Sequence, residues 1–142
     1  MFRYNILTEE VKSDFAFEVY SDTISELFRG AGIAMMEAMI EVNKIVAKRT
    51  WDIELESDSL ELLLYDFLSE LVYLKDVDVS LFKDYEIEIK ENEIYSLSCK
   101  AHGTEIDYEN DELLTDVKAV TMYKFLIEKR KEDWYCHVIL DL

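Results

Sequence analysis

Two carboxylates stand where strand ends could bring them together. Asp14 opens an alternating stretch, on the face opposite Phe15 and Phe17. Asp141 is penultimate in Val138-Ile139-Leu140-Asp141-Leu142, on the face opposite Val138 and Leu140. Side by side, such acids repel unless a cation lies between them. The carbonyl or carboxylate of Leu142 would add further oxygen ligands. Oxygen-only ligation selects a hard cation such as Ca²⁺ or Mg²⁺. An ordinary strand end is the plainer account of the same residues. Lys118, in Thr115-Asp116-Val117-Lys118-Ala119-Val120-Thr121, is a cation in an otherwise apolar stretch. It reads either as an edge lysine with its stem laid on apolar surface or as a partner of Asp116 or of the carboxylates.

Cys99, His102, Cys136 and His137 are the only soft ligands, and Cys99-x-x-His102 invites a zinc reading. Within a strand, however, residues an odd number apart point to opposite faces. Each Cys–His pair is split in this way, so buried cysteines with surface histidines are expected. Two histidines and no Gly-x-Ser-x-Gly elbow give no support to nucleophilic catalysis. A free-standing metal-dependent hydrolase lacks an obvious general base beside the proposed acids. Neither catalytic reading is favoured by these residues.

Composition narrows the function further. Against 15 Lys and Arg stand 32 Asp and Glu, a net charge of −17. Phosphate binding needs clustered cations, so direct nucleic-acid binding is not expected, whereas a basic protein partner would be attracted. The chain has 3 glycines and no proline, far below the usual frequencies of about 7% and 5%. That excludes Gly-rich phosphate loops of the P-loop and Rossmann kinds. Two cysteines make no disulfide framework. The first ten residues lack the apolar core of a signal peptide. No uncharged apolar stretch nears the ~18 residues of a membrane span. A cytoplasmic protein without a membrane partner is the expectation.

The elements that would position these residues follow from periodicity. Residues 1–13 read as irregular. Phe15, Phe17 and Val19 alternate with Asp14, Ala16, Glu18 and Tyr20 as a half-buried strand. Thr23 and Glu26 form a capping box for a helix whose stripe runs from Ile24 to Met39. Gly30 and Gly32 inside it read as close-packing positions. Trp51, Ile53 and Leu55 mark a second strand. Asp58 and Glu61, at capping-box spacing, support a second helix striped by Leu60, Leu63, Leu64, Phe67, Leu68, Leu71 and Val72. A hairpin follows, with Tyr85, Ile87 and Ile89 returning through Tyr95, Leu97, Cys99 and Ala101. After an acidic loop at about 103–114, two last strands are predicted, near 116–129 and 134–141. The order β-α-β-α-β-β-β-β predicts an α+β fold. It would be a single domain, 1–142, with one mostly antiparallel sheet of about six strands and two helices.

At this point the sequence resembles the archease family. Thr115-Asp116-Val117-Lys118-Ala119-Val120-Thr121-Met122-Tyr123 is similar to its Thr-Glu-Val-Lys-Ala-(Val/Ile)-Thr-Tyr signature, and Val138–Leu142 to its C-terminus. Asp22–Phe28 with Ala34-Met35, and Leu60–Leu74, are similar to its two helices. The resemblance runs from about residue 11 to 142. It implies an accessory protein of the RtcB-type RNA ligase that joins tRNA exon halves, promoting metal-dependent guanylylation and multiple turnover. It further implies metal binding at Asp14, Asp141 and Leu142, with Ca²⁺ first and Mg²⁺ or Mn²⁺ as alternatives. Lys118 and Asp116 would be the neighbouring signature residues. A general chaperone of RNA-modifying enzymes such as a tRNA methyltransferase, with a structural metal, is the alternative. Three departures stand out. Val11-Lys12-Ser13-Asp14 keeps only the acid of the family's His-Thr-Ala-Asp, Asp116 replaces the signature Glu, and Lys124 replaces its closing His.

Overall fold

The computed structural model describes residues 1–7 and 14–142; Val11-Lys12-Ser13 of the first motif lie outside them. The elements run β1 (Phe2–Ile6), β2 (Phe15–Ser21), α1 (Ile24–Glu37), β3 (Arg49–Ser57), α2 (Leu60–Val77), β4 (Ser80–Glu91), β5 (Tyr95–Glu105), β6 (Ala119–Val120), β7 (Leu126–Lys129) and β8 (Trp134–Asp141). The strand pairings are antiparallel and the class is α+β. The expected single sheet of about six strands is instead two sheets. One holds β1-β2-β8 with β6 and β7 on the far edge of β8, and the other is β3-β5-β4. α1 packs against strands of both sheets. Two helices thus share one core with two small sheets, where a single broad sheet would leave a face bare.

Two boundaries differ from the sequence reading. The stretch predicted irregular contains β1, whose Phe2, Tyr4 and Ile6 alternate with Arg3 and Asn5 and pair with β2. The strand predicted over 116–129 is broken into β6 and β7. Val120 faces Leu140 and Leu126 faces His137, so six residues on one side span three on the other. The excess leaves the edge as a loop, closed by a bond from the Phe125 N–H to the Met122 carbonyl (3.2 Å). Within that loop Lys124 takes the left-handed backbone (φ 53°).

Capping chemistry starts both helices. The Glu26 N–H donates to Thr23 Oγ1 at 3.1 Å. In α2 the cap is Ser59, whose Oγ accepts from the Leu62 N–H at 3.1 Å, rather than the predicted Asp58. Ser59 has the extended backbone that a cap requires. A Cβ on Gly30 would lie 2.6 Å from the Phe2 ring, and one on Gly32 2.6 Å from the Tyr85 ring. These glycines let α1 approach both sheets.

Tyr85 generates a stability test. Its ring is buried among Phe67, Phe82 and Gly32, and its hydroxyl has no hydrogen-bond partner among the described residues. A buried unpaired hydroxyl costs about 1–3 kcal/mol. Tyr85→Phe should therefore raise the thermal midpoint by a few degrees. A lower midpoint would mean that the hydroxyl is satisfied in solution.

Candidate functional site

β2 and β8 form the frame of the site. Phe15 opposes Leu140 and Phe17 opposes Val138. Extending that register by one residue sets Asp14 opposite Asp141. Directly opposed residues send their side chains to the same face. That face is turned away from Phe17, Val19, Val138 and Leu140, which are buried in the core. The structure thus brings the two sequence-predicted acids to one strand end, with Asp141 exposed and Asp14 half-buried. Leu142, the residue after Asp141, packs partly against the core.

The donor set is oxygen throughout, two carboxylates plus main chain. Among the described residues, no group of three or more His, Cys, Asp or Glu converges as a metal cage. Two acids fit a hard cation, which takes 6–8 oxygens if it is Ca²⁺. Most positions would then fall to water or to a partner's ligands. The set does not suit a closed structural site.

The signature segment is the clasp on this strand end. The Lys118 N–H donates to the Asp141 carbonyl at 2.8 Å. Ala119 and Val120 pair with Asp141 and Leu140. Thr121 donates to the Ile139 carbonyl from its N–H (3.1 Å) and its Oγ1 (2.9 Å). Lys118 contributes through its backbone. Its exposed ammonium makes no ion pair with Asp116, Asp14 or Asp141 among the described residues. Asp116 is held by a different cation, Lys75.

Lys75 is the residue that sequence reasoning missed. It lies four residues after Leu71 and three after Val72, so it continues the apolar stripe of α2. That position on a buried face was the available signal. Its side chain is only 6% exposed. Nζ lies 2.6 Å from Asp116 Oδ1, 2.6 Å from Asp76 Oδ1 and 2.8 Å from the Val117 carbonyl. All three ammonium protons are therefore used. Burial alone would lower the Lys75 pKa, but its hydrogen bonds to Asp116 and Asp76 outweigh that and leave it raised.

The soft ligands separate as strand geometry requires. Cys99 and Cys136 are buried in the core. Burial pushes both thiols up, Cys99 to about 12. His102 is on the other face of β5, between Thr50 Oγ1 (2.9 Å) and a Glu86 carboxylate oxygen (2.6 Å). His137 corrects the expectation of a surface histidine. It is buried, with Nδ1 2.8 Å from the Lys124 carbonyl, because the 121–125 loop reaches over this side of β8.

Lys75→Met keeps the length of the stem and removes the three bonds. Because Asp76 and Asp116 are themselves well exposed, the expected loss is modest, about 1–2 kcal/mol. A raised folded pKa contributes stability that is complete below the unfolded value of about 10.4 and is lost as pH rises through the folded value. The gap in thermal midpoint between wild type and variant should stay constant from pH 6 to 9, on this argument, and narrow in strong alkali. Equal midpoints at neutral pH would contradict the anchoring role.

The sequence profile of the archease protein family matches residues 4–142. The chain is 34% identical over 135 residues to the protein archease of Pyrococcus abyssi, spanning 94% of this chain and 95% of that one. It is 35% identical over 135 residues to that of Pyrococcus furiosus, with the same two coverages. The solution structure of Methanobacterium thermoautotrophicum protein 1598 superposes with a TM-score of 0.80 at 29% identity, over 99% of this chain and 98% of that one. The crystal structure of an archease from Thermotoga maritima has the same fold, with a TM-score of 0.63 at 17% identity over 94% of each chain. With the clasped β8 end and two helices at the positions the sequence marked, this chain belongs to the archease family.

Proposed function

We propose that this protein is a non-catalytic activator of an RtcB-type RNA ligase in tRNA splicing. On this reading it promotes metal-dependent guanylylation and multiple turnover through an acidic metal-binding tip. The observation that carries the reading is the β2–β8 register, which pairs Phe15 with Leu140 and, extended by one residue, would oppose Asp14 and Asp141. Asp14, Asp141 and the Leu142 oxygens would hold the cation, Ca²⁺ in the first place and Mg²⁺ or Mn²⁺ otherwise. When bound, it supplies a positive centre that accepts further oxygen ligands. Asp14 and Asp141 fix its place, and the Lys118 N–H orients the Asp141 backbone. An incomplete ligand set suits a tip that meets the metal-rich site of another enzyme. The chain's charge of −17 favours approach to a basic surface. No helix among the described residues is long and apolar enough to cross a membrane.

The Thermotoga maritima structure is described as that of an archease, possible chaperone, which favours a second reading. In it the protein modulates RNA-modifying enzymes generally, a tRNA methyltransferase for instance, and the metal is structural.

Two measurements follow. Ca²⁺ at about 100 times its dissociation constant should stabilise wild type by about 2.7 kcal/mol, read as a higher thermal midpoint. Asp141→Ala should show no such shift, and an equal shift would place the ion elsewhere. Stimulation of ligase turnover by the wild-type chain should fall as salt rises through the range where screening shortens to about 8–10 Å. No stimulation at low salt, with methyltransferases captured instead, would favour the chaperone reading.

A further inference from the structure

The segment between β5 and β6 is fastened by its own hydrogen bonds yet holds apolar side chains in solvent. The Asp107 N–H donates to Asp111 Oδ2 at 2.7 Å, and Asp107 Oδ1 accepts from the N–H groups of Glu109 and Asn110. The Ile106 N–H donates to the Val79 carbonyl, the Leu114 N–H to Met39 and the Thr115 N–H to Ala38, at 2.7–3.0 Å. Held in this way, Tyr108 is 70% exposed, Leu114 58% and Leu113 38%. They border a cavity of about 380 Å³ that Met39, Leu81 and Ile106 also line. A segment whose backbone is already held loses little further backbone entropy when a partner covers it.

The charge around this groove is one-sided. Asp76 and Asp116 line it, and residues 105–112 contain five acids and no cation. Glu112 meets Lys44 and Glu105 meets Arg49, while Asp107, Glu109 and Asp111 meet no cation among the described residues. Lys75, the ammonium in the cavity wall, has its three protons committed to Asp116, Asp76 and the Val117 carbonyl. It is not free for a ligand.

We propose that this groove docks a basic amphipathic segment of a partner protein. Apolar side chains of that segment would sit against Leu113, Leu114 and Tyr108, with Lys or Arg facing Asp76 and Asp116. A second copy of this chain is the poorer occupant, because two such grooves would bring like charges together. The proposal rests on the accessory-protein reading for the existence of a partner, and it separates docking from the metal tip. Asp116 belongs to both regions, since the segment lining the groove continues into the clasp on Asp141.

The test uses the full chain in EDTA, without ligase, and a fluorescent helical peptide of roughly 18 residues with Leu on one face and Lys on the other. Anisotropy should report binding to wild type, at least about tenfold weaker binding to Leu114→Asp, and unchanged binding to Asp14→Ala. The companion Leu/Glu peptide should not bind. Leu113→Ser supplies a second variant, and both exposed positions should leave the thermal midpoint in place. Equal binding by Leu114→Asp, or none by wild type, would overturn the groove. A wild-type dimer that Leu114→Asp dissociates, seen by sedimentation, would overturn the choice of occupant. Because neither metal nor ligase takes part, failure here leaves the metal-tip reading standing. Failure of Ca²⁺ binding likewise leaves this proposal standing.

Discussion

The candidate site depends on one buried ammonium. Lys75 sits on the apolar stripe of α2, where an unpaired charge would be costly, and three oxygens satisfy it. Two of them belong to Asp116 and Val117, so the segment that enters β6 is tied to the helix. The next residue, Lys118, donates its N–H to the Asp141 carbonyl. From helix to clasp to strand end, each link is a hydrogen bond of ordinary length. The clasp also explains why β6 is so short. It needs only enough pairing to hold the last two residues of β8.

The negative charge then has two separate parts. Much of it is spread over solvent-facing strand positions, such as Asp52, Glu54, Glu86 and Glu88, on the outer side of the β3-β5-β4 sheet. There it serves solubility and long-range attraction. A smaller part is placed by the fold: Asp14 and Asp141 at the β2–β8 end, and Asp76 and Asp116 at the groove. The short segment from Asp116 to Val120 links them, lining the groove at its start and pairing with β8 at its end.

Much of this was legible in the sequence, and the misses have identifiable causes. Period-two alternation marked β2, β3, β4 and β5, and the Thr23 cap with a 3.6-residue stripe marked α1. The opposed faces of Asp14 and Asp141 could be read from Phe15 and Leu140. Their adjacency could not, because it needs the β2–β8 pairing, and periodicity says nothing about which strands become neighbours. The same gap hid the division into two sheets. β1 went unseen because its pattern is only five residues long, and the β6–β7 break because Phe125 and Leu126 continue an apolar run. Lys75 was missed for a different reason. A charged residue at the end of a helix reads as solvent-facing until its neighbours on the stripe are counted. His137 was misplaced because the loop covering it comes from a different strand.

If the acids at the β2–β8 end carry the proposed stimulation of a ligase, removing their charge must abolish it. The most direct measurement is guanylylation of an RtcB-type ligase with this protein, comparing wild type with Asp14→Asn and Asp141→Asn. These substitutions keep side-chain size and remove only the charge. Both variants should stay folded and lose the stimulation. Full stimulation by both would contradict the metal-tip reading.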